Sequence, residues 1–180
     1  LSKWSEPAYW IMGKLKPENW SAQWIQPGFT ETELRPSPMF RKEFQSKKVV
    51  QSAIAFVTAR GLYEAEINGN KVGNAFFTPG WTSYGKRIQY QTFDVTNLLR
   101  LEKNAVGVTL GNGWYRGYLG IRGQRDFYGS DLALLFQLTI KYTDGTTEQV
   151  ISDGSWRSAT GPILYSELYH GETYDARLEK

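Results

Sequence analysis

Cysteine is absent from this chain of 180 residues, and histidine occurs only once, at His170. Without cysteine the chain has neither a disulfide framework nor a thiolate metal site. A single histidine also excludes the multi-histidine zinc sites of metalloenzymes. The sequence further lacks the Gly-x-x-x-x-Gly-Lys phosphate loop and the Gly-x-Ser-x-Gly elbow of serine hydrolases. We therefore expect no metal ion and no cofactor.

Long apolar runs and concentrated charge are missing as well. No stretch approaches the ~20 apolar residues that a membrane-spanning helix needs. The net charge is only +3, and lysine and arginine are scattered rather than gathered into a basic stripe. We expect neither a membrane nor a nucleic-acid partner. The chain opens at Leu1 without an initiator methionine or a signal-peptide core, which indicates a piece of a longer polypeptide.

Turn-forming and aromatic residues are abundant, with 18 glycines, 7 prolines and an aromatic share of 15%. Asn68-Gly69 is a strong hairpin signal, because a type I′ turn needs positive φ at both central positions, and it predicts pairing of 62–67 with 71–77. A single helical turn is expected at 94–99, capped by Asp94 or Thr96. Alternating apolar residues predict further strands at 39–44, 53–59, 88–93, 104–110, 132–140 and 148–151.

These short strands, with no long amphipathic helix between them, predict an all-β fold. The expected architecture is an antiparallel β-sandwich with jelly-roll-like, galactose-binding-domain-like topology, covering residues 39–180. Residues 1–38 have no strand or helix periodicity. They carry Trp4, Trp10, Trp20 and Trp24 between prolines. Because disordered segments are poor in tryptophan, this composition predicts a packed, irregular N-terminal linker.

A glycine-punctuated loop after the strand at 104–110 carries large aromatic side chains. Such side chains stack on the C–H face of a sugar, while arginine donates hydrogen bonds to its hydroxyls; they also fill the ends of sandwiches and anchor domain interfaces. We favour burial or an interface, and sugar binding stays open. The candidate carbohydrate-binding residues are Trp114, Tyr115, Arg116, Tyr118 and Arg122, with Trp81 and Tyr84 from an upstream loop.

Catalysis of glycoside hydrolysis would require a pair of carboxylates. The carboxylates near aromatic loops are Asp126, Asp131, Glu167, Glu172 and Asp175. We expect these groups to be solvated or paired with Arg122, Arg125 or Arg177, because charged residues are normally exposed or paired. We also expect His170 to be a hydrogen-bonded interface residue. No catalytic residue is assigned to this chain.

Five segments together resemble the N-terminal β-sandwich domain of bacterial α-L-rhamnosidases of glycoside hydrolase family 78. They are 63–73, 78–84, 90–96, 111–115 and 171–177, and the Gly-Trp-Tyr and Gly-Glu-x-Tyr-Asp-Ala-Arg elements are the most specific. Upstream, 4–7 and 20–25 resemble the segment that leaves a fibronectin-like domain in the same enzymes. The resemblance implies a parent enzyme that removes terminal L-rhamnose by inversion, with both catalytic carboxylates on a separate (α/α)6 barrel.

The sequence thus predicts a noncatalytic domain that supports the catalytic barrel and aids recognition of rhamnose-containing carbohydrate. Its expected partners are the catalytic and other domains of the same polypeptide. The C-terminal run alternates polar, aromatic and charged side chains, which suits a hydrated interdomain contact. The residues assigned to that interface are Tyr169, His170, Glu172, Tyr174 and Arg177. The alternatives are an autonomous carbohydrate-binding module and a sandwich domain of another glycosidase family.

Overall fold

Strands dominate the computed structural model, which describes residues 3–8, 10–120 and 123–179. The only α-helix among these residues is the single turn α1, Gly113–Arg116, and 3-10 turns lie at Pro17–Asn19, Thr96–Leu98 and Ala176–Leu178. No helix of the described residues is long and apolar enough to cross a membrane. The strands are β1 Pro38–Ser46, β2 Val50–Arg60, β3 Leu62–Ile67, β4 Asn70–Lys71, β5 Gln91–Asp94, β6 Glu102–Gly111, β7 Ala133–Tyr142, β8 Thr147–Ile151, β9 Arg157–Thr160, β10 Ile163–Glu167 and β11 Gly171–Tyr174.

The strands form two antiparallel sheets and a separate hairpin. The first sheet has five strands in the order β4-β3-β6-β1-β9, and the second has four in the order β5-β2-β7-β8. Within the described part of the chain, strands β10 and β11 pair only with each other. The chain passes repeatedly between the two sheets, as it does in jelly-roll folds. The predicted antiparallel β-sandwich is therefore confirmed.

The core lies between the inner faces of the two sheets. On β6, Val106, Val108 and Leu110 are buried, as their alternation predicts. From the second sheet, β7 contributes Phe136 and Leu138 to the same apolar cluster. Burial of such side chains supplies the main driving force for folding, roughly 1.5–3 kcal/mol for each large one.

An irregular N-terminal segment covers the outer face of the four-stranded sheet. The ring of Trp20 packs edge-on against Phe56, with 6.2 Å between ring centroids. The backbone N–H of Ser21 donates to Oε1 of the buried Gln137 at 2.9 Å. Ile25 then forms an isolated antiparallel bridge with Leu134 of β7. This cover explains why both faces are buried along 55–59 of β2 and 133–138 of β7. Trp4 and Trp10 remain exposed, and the assignment of 1–38 as an interdomain linker stays a prediction.

The Asn68-Gly69 turn has the predicted type I′ character, with φ values of 54° and 77°. The hairpin is shorter than expected: strand pairing ends at Lys71, and the backbone N–H of Val72 donates a last bond to the carbonyl of Ala65 at 2.8 Å. The chain then turns away at Gly73, which adopts a φ of 73° and lies against the ring of Phe93. The strand predicted at 88–93 is likewise reduced to Gln91–Asp94.

We predict that Gly69→Val destabilises the fold by about 1–3 kcal/mol, because a β-branched residue resists left-handed φ. A Cβ at this position would meet no atom within 4 Å, so the loss of stability would come from backbone strain alone. The measurement is chemical denaturation. Gly154→Val is the matched control, since Gly154 also faces open space but lacks positive φ. Equal midpoints for the two variants would contradict the type I′ assignment.

Candidate functional site

The glycine-aromatic loop begins where β6 ends, at Gly111, and continues through the single turn of α1. One glycine of this loop is required because the loop packs closely against the C-terminal hairpin. A Cβ at Gly117 would clash with the carbonyl oxygen of Gly113 and with a carboxylate oxygen of Glu167. Glycine at this position therefore lets the loop approach β10 closely.

Arg116 of α1 lies inside the protein, with only 1% of its surface exposed. Its Nη1 donates to both carboxylate oxygens of Glu31 at 2.7 Å, and its Nε donates to Oδ1 of Asn112 at 2.5 Å. Burial lowers the pKa of Arg116, and the ion pair with Glu31 opposes that shift. The guanidinium stays charged, because arginine remains protonated in proteins. This ion pair ties the N-terminal segment to the loop.

A buried carboxylate, Glu167 of β10, receives three further donors. These are Asn112 Nδ2 at 2.8 Å, the backbone N–H of Tyr118 at 3.1 Å and Arg125 Nη2 at 3.3 Å. Asn112 therefore connects the Arg116 side of the loop to the C-terminal hairpin. We call Glu31, Arg116, Asn112, Glu167 and Arg125 the polar network.

Two indole rings stack at this loop, and one of them, Trp114, lies in sequence between Asn112 and Arg116 of the polar network. Trp81 and Trp114 stack nearly parallel, with centroids 6.0 Å apart and an interplanar angle of 5°. Nε1 of Trp81 donates to the hydroxyl of Tyr128 at 3.0 Å, which fixes one ring of the pair. Phe77 lies 6.0 Å from Trp114 on a tilted plane. Because 54% of Trp81 is exposed, this indole pair offers an apolar face to solvent.

The residues predicted to contact sugar divide into two groups. Trp81, Trp114 and Tyr118 lie at least partly at the surface. Tyr84, Tyr115 and Arg116 are buried, and the first two pack edge-on at 5.3 Å. Burial raises the pKa of Tyr84 to about 12. Protein already covers the surface of these three residues, so we place them behind the loop rather than in a sugar contact. Arg122 lies outside the described residues.

The C-terminal hairpin presents the residues assigned to an interdomain contact. Tyr169 and Tyr174 are 67% and 49% exposed, and His170, Glu172 and Arg177 are also exposed. The His170 ring packs on Tyr118 at 4.9 Å, and its Nδ1 lies 3.1 Å from the Tyr165 hydroxyl. The hairpin is thus joined to the loop on one side and open to solvent on the other.

Three of the candidate carboxylates are paired with arginine. Glu167 accepts from Arg125, Asp126 forms a two-bond ion pair with Arg35 at 2.6 and 3.2 Å, and Asp175 pairs with Arg177 at 2.6 Å. The bond to Asp126 raises the pKa of Arg35, and Arg177 lowers the pKa of Asp175. Within the described part of the chain no group of three His, Cys, Asp or Glu side chains is placed to hold a metal ion.

Sequence reasoning missed Glu31, Asn112 and Phe77. Glu31 lies 85 positions from its partner Arg116, so no local pattern connects them. Asn112 does stand inside the Gly-Asn-Gly-Trp-Tyr motif, and a buried asparagine between two glycines is a usable signal for a loop-fixing residue.

We predict that Glu31→Ala destabilises the fold by about 2–4 kcal/mol, because it leaves the buried Arg116 guanidinium without its counter-ion. The control is Glu33→Ala, which removes an exposed carboxylate two residues away and should change stability by less than about 0.5 kcal/mol. Thermal and chemical denaturation measure both variants. Matching stabilities would mean that the ion pair does not hold the loop.

Comparison with known proteins is consistent with this geometry. The family model for the α-L-rhamnosidase N-terminal domain matches residues 48–180. An α-L-rhamnosidase of Streptomyces avermitilis is 41% identical over 98% of this chain. The chain spans between 17% and 21% of the length of four curated relatives that it matches.

Solved structures agree in fold and sequence. The native α-L-rhamnosidase of Aspergillus terreus is 46% identical, with a TM-score of 0.88, over 92% of this chain and 20% of that one. The Streptomyces avermitilis enzyme complexed with L-rhamnose is 46% identical, with a TM-score of 0.78, over 80% of this chain and 14% of that one. The chain belongs to the α-L-rhamnosidase N-terminal domain family.

Proposed function

We propose that this chain is a noncatalytic β-sandwich domain of a multidomain enzyme that removes terminal L-rhamnose from glycosides. The observation that carries the proposal is the small share of each relative that the chain matches, 17% to 21%. That share leaves about four-fifths of the parent for other domains. The family resemblance puts the catalytic carboxylates on an (α/α)6 barrel, and we assign this domain the role of supporting that barrel.

The state of the carboxylates supports a noncatalytic role. Inverting hydrolysis needs one carboxylic acid that donates a proton and one carboxylate that activates water, about 6.5–9.5 Å apart. In this chain Glu167 is buried and receives three hydrogen bonds, which leaves it little capacity to bind water or a glycosidic oxygen. Asp126 is occupied by Arg35 in the same way.

We predict that the purified chain does not hydrolyse an aryl α-L-rhamnoside above the rate in buffer. The assay follows release of the aryl group, with an intact α-L-rhamnosidase as the positive control. Turnover that disappears in Glu167→Gln or Glu172→Gln would overturn the noncatalytic assignment.

Recognition of sugar is the second part of the proposal, and the parallel indole pair favours it. Sugars stack their C–H faces on aromatic rings, and L-rhamnose carries a methyl group where other hexoses carry a hydroxymethyl group. Trp81 and Trp114 lie parallel with centroids 6.0 Å apart, and the exposed part of Trp81 supplies such an apolar surface. Tyr118, further along the same loop, is held between Arg125 at 4.8 Å and His170 at 4.9 Å and lies partly at the surface.

We predict that L-rhamnose binds to the chain at millimolar or lower concentration, measured by titration calorimetry. Trp81→Ala should weaken binding by about tenfold, the loss expected for one desolvated aromatic contact. Trp10→Ala is the control, because Trp10 is an exposed tryptophan on the N-terminal segment. No binding at millimolar rhamnose would reject sugar recognition and leave the supporting role untouched.

We further propose that the exposed face of the C-terminal hairpin contacts another domain of the same polypeptide. The face consists of Tyr169, His170, Glu172, Tyr174 and Arg177. All four residues of β11 are exposed. They include Thr173 and Tyr174, whose residue types favour strands that pack on one face. Exposed aromatics in a rim of charge are typical of wet interdomain contacts.

We predict that Arg177→Glu leaves the melting temperature of this chain nearly unchanged. Its ion pair with Asp175 lies at the surface, and pairs of this kind contribute little to stability because water and salt screen them. The same substitution in the intact enzyme should lower thermal stability or activity. An equal loss in the chain and in the intact enzyme would show that the segment serves the sandwich alone.

A further inference from the structure

A cleft of about 380 Å³ lies next to the indole pair. Its floor is formed by Leu62, Leu110 and Gly111, where β3 begins and β6 ends. Phe76 and Phe77 form one wall, and the C-terminal hairpin forms the other. Clefts of roughly 300–1,000 Å³ hold small ligands in proteins.

The phenylalanine wall is exposed and held in place. Phe76 and Phe77 are 75% and 61% exposed. Phe77 adopts a φ of 55°, which is unfavourable for a bulky residue. The neighbouring Thr78 fixes this geometry through two hydrogen bonds to the backbone of Tyr63, both 2.9 Å long. Strain that the surrounding structure maintains is characteristic of binding sites.

One lysine orders the outer rim of the cleft. Nζ of Lys71 lies 4.6 Å above the centroid of Phe76 and 3.0 Å from Oε1 of Glu64. The ammonium therefore fixes an aromatic ring and a carboxylate side by side. Across the cleft, the hairpin supplies the hydroxyl of Ser166 and the carboxylate of Glu172. The described residues that line the cleft include no basic side chain, and the Lys71 ammonium at the rim is already paired with Glu64, so carboxylates and hydroxyls are the polar groups that the lining offers.

We propose that this cleft is a second sugar subsite, which takes the residue linked to the L-rhamnose on the indole pair. Phe77 connects the two places, because it lines the cleft and lies 6.0 Å from Trp114. A neutral sugar would lay its C–H face on Phe76 and donate its hydroxyl protons to Glu64 and Ser166. A uronic acid would bring a further carboxylate beside Glu64 and Glu172, with the single ammonium of Lys71 already paired with Glu64, and is disfavoured. The inference rests on the proposed sugar recognition.

Titration calorimetry with three ligands tests the subsite. They are L-rhamnose, a disaccharide of L-rhamnose linked to a neutral sugar, and a disaccharide of L-rhamnose linked to a uronic acid. We expect the neutral disaccharide to bind about tenfold more tightly than rhamnose, the gain from one added aromatic contact. The uronic disaccharide should show no gain. For each protein variant, the affinity for a disaccharide is compared with the affinity of the same variant for L-rhamnose.

Two substitutions act on the cleft by different routes. Phe76→Ala removes an exposed ring, and Gly111→Leu places a side chain on the floor. A Cβ at Gly111 would lie 3.6 Å from Ser166 Oγ, an ordinary contact, and Gly111 has no positive φ. Both variants should abolish the tenfold gain, whereas the control Trp10→Ala should retain it.

The outcomes separate the two proposals. Rhamnose binding without any gain for the neutral disaccharide would overturn the subsite alone. A gain that survives both Phe76→Ala and Gly111→Leu would also overturn it. Absence of binding by all three ligands would overturn the subsite together with the sugar recognition on which it rests.

Discussion

The buried ion pair between Arg116 and Glu31 is the constraint on which the rest of the site depends. A guanidinium can remain inside a protein only when its charge is compensated, because an unpaired buried charge costs several kcal/mol. Glu31 supplies that compensation from a segment with almost no secondary structure of its own. The glycine-aromatic loop is therefore ordered by chain that lies far from it in sequence.

The network extends this constraint to the C-terminal hairpin. Asn112 accepts from Arg116 and donates to Glu167, so one amide orients two charged groups. Glu167 in turn fixes the backbone of Tyr118. The network thus holds both ends of the turn that carries Trp114, one ring of the indole pair.

The sequence predicted the parts of the fold in which burial alternates with exposure. Val106, Val108 and Leu110 have this pattern, and β6 was found where it indicated. By contrast, β9 and β11 consist entirely of exposed residues, so apolar periodicity had nothing to detect. Only part of the site could be predicted from the sequence, for a related reason. Residue type identified the aromatic loop, but the burial of Arg116 depends on a partner that only the tertiary structure brings close.

The position of β1 has a consequence for where the domain can be divided. The family model begins at residue 48, whereas β1, Pro38–Ser46, lies between β6 and β9 in the five-stranded sheet. A protein trimmed to the family boundary would lose this strand and expose the edge of β6, which carries Val106 and Val108. Unpaired edges of this kind template aggregation with other chains. Trimming would also remove Glu31 and Trp20, so the smallest unit that keeps the five-stranded sheet and the buried ion pair complete extends well upstream of the segment that the family model matches.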